Sequence, residues 1–250
     1  MLTDLSIPIA EKLASENSQA LLDFGLVMAR VDLVKYRFPF LVRTRLAEAE
    51  KRRLNSLGRE KRRQEWLAGR LAAKEAVFTV MSGSTKTSLP FFDYRSVAVI
   101  QDEAGRPYMV SELQEVRALD LSISHSSGLA VALASPGRCG IDIQKVDPSL
   151  ERVQSYFVKE TEKKLLGALH HSYTIRQRLA LLWSAKEALK KQCSRRPLPG
   201  FGEIELTRVR LAEMPVFTMD FRDQSREVAV TFYGSYSLAL TMPEIVTIDE

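Results

Sequence analysis

The block Ala73-Lys74-Glu75-Ala76-Val77 returns 112 residues later as Ala185-Lys186-Glu187-Ala188-Leu189, and the apolar run Leu129–Ala134 has an echo roughly 107 residues on at Ser237–Thr241. Helical and strand blocks that recur in the same order at nearly the same offset describe two related halves. The fold class expected is therefore α+β, with two pseudo-symmetric halves, each made of helices packed on a small, mainly antiparallel sheet. Pro136-Gly137 breaks the chain between the blocks. The halves are expected at 1–136, with a basic segment and part of the ligand site, and at 137–250, with a metal site. A ligand is expected in the cleft between them.

Gly140-Ile141-Asp142-Ile143-Gln144 alternates apolar and polar residues with period two. On a strand, Ile141 and Ile143 enter a core, Asp142 and Gln144 emerge together on the other face, and Gly140 leaves room beside them. Some forty residues on, Trp183-Ser184-Ala185-Lys186-Glu187-Ala188-Leu189-Lys190-Lys191 has helical spacing. Trp183, Glu187 and Lys190 or Lys191 share one face, and Leu182, Ala185 and Leu189 share another. A strand carboxylate opposite a helix carboxylate is a seat for a hard cation such as Mg²⁺, which takes one or two protein acids and keeps several waters. Asp142 and Glu187 are the expected ligands, with Lys186 and Lys191 beside them for phosphate oxygens. An ion bridging a pyrophosphate, with a carboxylate near it as base, is equipped for attack on a phosphoanhydride.

The net charge of +5 is unevenly placed: from Arg43 to Lys74 eleven Lys or Arg face four Glu, so the rest of the chain is net negative. This segment is helix-like, with Gly58 and Gly69 as punctuation, and offers a docking surface for a polyanion. Residues 10–30 read as a mixed helical stretch, Val97–Ile100 as a strand, and Asp102–Pro107 as a turn in which Gly105 takes positive φ. Ser111–Leu119 reads as a short helix. Leu121–Ser124 and Leu129–Ala134 read as paired strands that leave His125 at the rim. Cys139 and Cys193, the only cysteines, make neither a disulfide framework nor a metal cluster and are expected as small core residues. With no secretory signal or apolar span in view, a cytoplasmic protein is expected. A second reading, a basic binding module for nucleic acid or an acidic protein, makes Arg43–Lys74 the working surface and the Asp142/Glu187 pair structural.

Gly140-Ile141-Asp142-Ile143, followed by Trp183 to Lys191, resembles the paired signature of the 4′-phosphopantetheinyl transferases of the surfactin-synthetase type. Ser124-His125-Ser126, Gly105-Arg106-Pro107 and Leu67-Ala68-Gly69-Arg70-Leu71-Ala72-Ala73-Lys74 resemble further blocks, the last closest to the enterobactin-type branch. The resemblance runs from about Arg43 to about Glu205. It implies transfer of the 4′-phosphopantetheine arm of coenzyme A to a serine of an acyl, peptidyl or aryl carrier protein, with Mg²⁺ required, adenosine 3′,5′-bisphosphate released and coenzyme A in the cleft. It makes Asp142 and Glu187 the metal ligands and Lys191 the lysine that serves the pyrophosphate and catalysis. His125 contacts a coenzyme A phosphate, Arg106 with Pro107 lines the nucleotide site, and Arg63 and Arg70 are candidates for the 3′-phosphate. The pseudo-dimeric layout suggests a monomer. Many members carry a glutamate where this chain has Gln144, whose amide offers the metal an oxygen but neither charge nor a base. Glu187→Ala is therefore expected to remove turnover and Gln144→Ala to be mild.

Overall fold

A glycine opens the first main strand of each repeat, and the same crowding explains both. In the computed structural model a β-carbon on Gly25 would lie 1.9 Å from the Ala76 carbonyl oxygen, and one on Gly140 would lie 2.0 Å from that of Ala188. Each strand therefore runs against the bare backbone of a helix, which only glycine permits. The structure describes residues 1–6, 9, 24–84, 93–193, 198–222 and 224–241. These form two compact units, and the chain passes from one to the other at Cys139–Gly140.

The first unit contains β1 (Leu2–Asp4), β2 (Gly25–Arg30), α1 (Val31–Tyr36), α2 (Phe38–Arg45), α3 (Glu48–Asn55) and α4 (Glu60–Ser84). The hairpin β3 (Ala98–Gln101) and β4 (Pro107–Val110), then α5 (Gln114–Ala118), β5 (Asp120–Ser126) and β6 (Leu129–Ser135) complete it. Its main sheet is antiparallel in the order β1-β2-β6-β5, and α4 lies across β2 and β6. Leu67, Ala68, Leu71, Ala72, Ala76, Val77 and Val80 recur at helical spacing and bury the inner face of α4. The turn before β4 holds Gly105 at φ +83, and the β5–β6 turn places Ser127 and Gly128 at φ 43 and 93. Two expectations change. Residues 10–23 lie outside the described residues, while Gly25–Arg30 is a strand; it is buried on both faces and so lacks a period-two signature. Gly69 does not punctuate a helix but sits inside α4, where Ile123 packs so closely that a β-carbon would come within 3.1 Å of its Cγ2.

The second unit contains β7 (Ile141–Lys145), α6 (Ser149–Val153), α7 (Glu160–Gly167), α8 (Ile175–Cys193), β8 (Ile204–Arg210), β9 (Val216–Phe221), β10 (Gln224–Tyr233) and β11 (Tyr236–Thr241). The antiparallel sheet has the order β7-β11-β10-β9-β8, so β7 is an edge strand, and α8 lies across β7 and β11.

A buried ion pair built the same way holds each unit together. In the first, the Lys74 ammonium on α4 donates to Glu50 Oε2 at 2.6 Å and to the carbonyls of Arg45 and Tyr94 at 2.8 and 2.6 Å. Glu50 in turn accepts from the backbone N–H of Ala47, capping α3, and from that of Val99 in β3. In the second, Lys186 on α8 donates to Glu162 Oε1 at 2.8 Å and to the carbonyls of Phe157 and Phe201, while Glu162 accepts from the N–H of Lys159, capping α7, and of Leu206 in β8. Every partner of one pair has its counterpart in the other. Each cluster ties long helix, capped helix and outer strand to one point, with its charges paired and its donors satisfied as burial requires.

Candidate active site

Edge strand β7 and the C-terminal half of α8 build the site. Asp142 stands opposite Ala239 in the β7–β11 register, and Ala239 belongs to the core beneath α8. Directly opposed residues share a sheet face, so Asp142 points toward the helix and is only 6% exposed. Its Oδ1 accepts from Lys191 Nζ at 2.8 Å, and the same ammonium donates to the Ile141 carbonyl at 2.9 Å. Ile141 and Ile143 are buried on the opposite face, as their alternation predicts.

Glu187 lies one turn before Lys191 on the same face of α8. Its Oε1 accepts from Lys190 Nζ at 2.7 Å. That ammonium also stands 4.3 Å from the centre of the Phe201 ring. Phe201 packs against Trp183 at 4.6 Å between centroids, and Phe157 meets Trp183 edge-on at 5.0 Å. Trp183 thus anchors the helix by packing. Gln144, two residues beyond Asp142, is half-buried, and its amide nitrogen donates to the Lys145 carbonyl at 3.0 Å.

The donor set of Asp142, Glu187 and the Gln144 amide oxygen is all oxygen, drawn from a strand and a helix, and fits a hard divalent cation. No group of three or more His, Cys, Asp or Glu that could hold a metal occurs among the described residues. Asp142 and Glu187 are the two carboxylates of that donor set.

Lys186 departs from its expected place beside the phosphates. Its ammonium is fully enclosed, committed to Glu162, Phe157 and Phe201, and its pKa is pushed down by burial against the pull of Glu162. It holds the helix rather than a ligand. Glu162 and Glu50 were missed from the sequence, yet each precedes its lysine by 24 residues, so the repeat itself carried the signal.

A scan against protein families matches residues 138–241 to the 4′-phosphopantetheinyl transferase superfamily. A holo-(acyl-carrier-protein) synthase of Anoxybacillus flavithermus is 36% identical over 103 residues, which are 41% of this chain and 82% of that protein. Enterobactin synthase component D of Salmonella austin is 30% identical over 202 residues, 78% of this chain and 76% of that protein. This chain belongs to the 4′-phosphopantetheinyl transferase superfamily. A solved holo-(acyl-carrier-protein) synthase from Bacillus anthracis, in complex with CoA (3′,5′-ADP), is 27% identical with a TM-score of 0.38 over 44% of this chain and 91% of that one.

The remaining expected residues of this superfamily member lie in the first unit. Arg70 departs from its expected role at a 3′-phosphate: it is 5% exposed, its Nε donates to the Val99 carbonyl at 3.0 Å and its guanidinium lies over Trp66. Burial pushes its pKa down to about 10. It shares a helix face with Leu67 and Lys74, both buried, which is why it is drawn inward. Arg63 is half-buried over the Phe38 ring, and its Nε is enclosed without a hydrogen-bond partner. Arg106 pairs with Asp120 and donates to the Cys139 carbonyl at 3.3 Å, while the Cys139 N–H donates to Asp120 at 2.8 Å. Pro107, half-buried, heads β4, and His125 is exposed on β5. Cys139 is buried and burial raises its thiol pKa well above the ordinary value, consistent with a core residue. Exposed Arg43, Arg52, Arg53, Arg59, Lys61 and Arg62 give the basic segment its surface. Among the described residues no helix is long and apolar enough to cross a membrane.

Proposed function

We propose that this protein moves the 4′-phosphopantetheine arm of coenzyme A onto a serine of an apo carrier protein, releasing adenosine 3′,5′-bisphosphate, in a reaction that requires Mg²⁺. Superfamily membership supports the reaction class. The observation that carries the metal reading is the junction of β7 and α8, where Asp142 is bonded to Lys191 one turn beyond Glu187.

In this reading the serine Oγ attacks the phosphorus that bears the pantetheine arm. A P–O bond to serine forms as the anhydride P–O bond breaks, and the electron pair leaves on the bisphosphate. Glu187 accepts the serine proton, directly or through a water. Lys191 exchanges Asp142 for the diphosphate oxygens and stabilises the charge that builds on them. Asp142 and Glu187, with the Gln144 amide oxygen or a water beside them, would hold Mg²⁺, which when bound offsets the charge of the diphosphate. His125, Arg63, Arg106 and Pro107 are assigned to the phosphates and nucleotide of coenzyme A. The exposed arginines of α2, α3 and α4 suit an acidic carrier surface. A cytoplasmic monomer completes the reading, expected from the two isolated cysteines and the internal repeat.

The test incubates the protein with fluorescent coenzyme A, Mg²⁺ and several apo carrier proteins. Label is expected on the carrier serine, and chelator is expected to abolish it. Asp142→Asn and Glu187→Gln are expected to lower turnover on the order of 10²- to 10⁴-fold, whereas Gln144→Ala stays close to wild type. Turnover that survives chelator or Glu187→Gln refutes the assignment. No label on any carrier, with tight salt-sensitive binding to DNA or RNA, would instead favour the basic module.

A further inference from the structure

Lys190 is not needed by the chemistry above, yet it is the side chain bonded to Glu187. Its ammonium lies 2.7 Å from Glu187 Oε1 and 4.3 Å from the Phe201 ring centre, so one cation sits at two adjacent stations at once, a carboxylate and an aromatic face. Neither end of the pair is free in water: the side chains of Lys190 and Glu187 are 18% and 23% exposed. The aromatic station is fixed from below, because Lys186 is bonded to the carbonyl of Phe201 and Trp183 packs on its ring. Trp183, Lys186, Glu187 and Lys190 recur at the i, i+3, i+4 and i+7 positions of α8, which is one helix face.

We propose that Lys190 is a resident counter-ion of Glu187, a positioning residue that occupies the carboxylate in the metal-free protein and yields it to a divalent cation by withdrawing onto the Phe201 ring. The inference rests on the Mg²⁺ reading of Asp142 and Glu187. Two consequences of opposite sign follow. Removing the ammonium relieves the competition, so the divalent ion binds more tightly. Removing the ring takes away the one contact described for the ammonium once it gives up the carboxylate, so the ion binds more weakly.

The test measures Mn²⁺ binding from the free-ion EPR signal, with and without coenzyme A, on the full chain, with thermal melts to verify folding. Lys190→Met is expected to tighten Mn²⁺ binding about three- to fivefold, the worth of a partly exposed ion pair. Phe201→Leu is expected to weaken it about twofold or more. Lys190→Arg, which keeps both the ion pair and the ring contact, is expected to stay within about twofold of wild type. Lys145→Met, which removes the same charge from the end of β7, is expected to shift it by less than about twofold and so excludes a general charge effect. Unchanged or weaker binding in a folded Lys190→Met overturns the role of Lys190 while leaving the metal reading intact. Wild-type protein that binds no Mn²⁺ under either condition overturns both.

Discussion

Glu75 and Glu187 hold the same place in the two repeats, and what bonds to each separates them. Glu187 is met by the Lys190 ammonium, whereas Glu75 accepts from the Tyr94 hydroxyl, itself under Arg45 at 4.0 Å. Partial burial, then the bond to Glu75, pushes the Tyr94 phenol up to about 12 from 10.0. The folded phenol therefore keeps its proton more firmly than the unfolded one. Its contribution to stability is whole below pH 10 and lost as pH rises through about 12. Absorbance titration of phenolate should show one of the seven tyrosines ionising late in native protein, and Tyr94→Phe should delete that late phase; a native titration without it would show that the bond is absent in solution. The pairing of Asp142 with the α8 face was legible because a strand of period two admits only one such face. Lys186 was misjudged although its spacing from Leu182 and Leu189 already placed it on the apolar side of α8. Periodicity tells which residues share a face, but a lysine there signals burial only when a distant acid such as Glu162 is known to meet it.

The helices and strands are fastened by the two buried lysine–glutamate clusters, each joining a long helix, the cap of a shorter one and an outer strand. Lys186→Met and Lys74→Met each strand a buried carboxylate and are expected to cost about 3–5 kcal/mol, measured by urea denaturation. The double variants Lys186→Met with Glu162→Gln, and Lys74→Met with Glu50→Gln, are expected to recover part of that loss because no lone charge remains. A single variant as stable as wild type would mean that the cluster fastens nothing. At this scale the sequence spoke clearly where one face is apolar, as in α4 and β5. It misled where both faces are covered, as in β2, and where a glycine serves packing rather than a break, as Gly69 does against Ile123. In the second sheet the echo at Ser237–Thr241 marks β11, but β8, β9 and β10 are not legible as paired strands, since pairing order depends on contacts far apart in sequence.

Across the whole molecule, the two repeats share matching glycines and buried ion pairs but differ at the positions proposed for the site. Val27, fully buried on β2, occupies the place of Asp142, and Thr79 that of Lys191. One divalent ion per chain is therefore expected. Val27→Asp should not create a second site, because Thr79 rather than a lysine stands at the place of Lys191; burying that carboxylate should instead cost about 3 kcal/mol or more. Equilibrium dialysis with Mn²⁺ checks the count, and two ions bound by wild type would contradict the divergence. The glycines at 25 and 140 add a last consequence. Where a carbonyl oxygen rests in the space of a missing β-carbon, main chain is spaced by main chain, like two rails on a fixed gauge. Mutations elsewhere along α8 can then reshape the protein's periphery without altering the spacing between β7 and the helix.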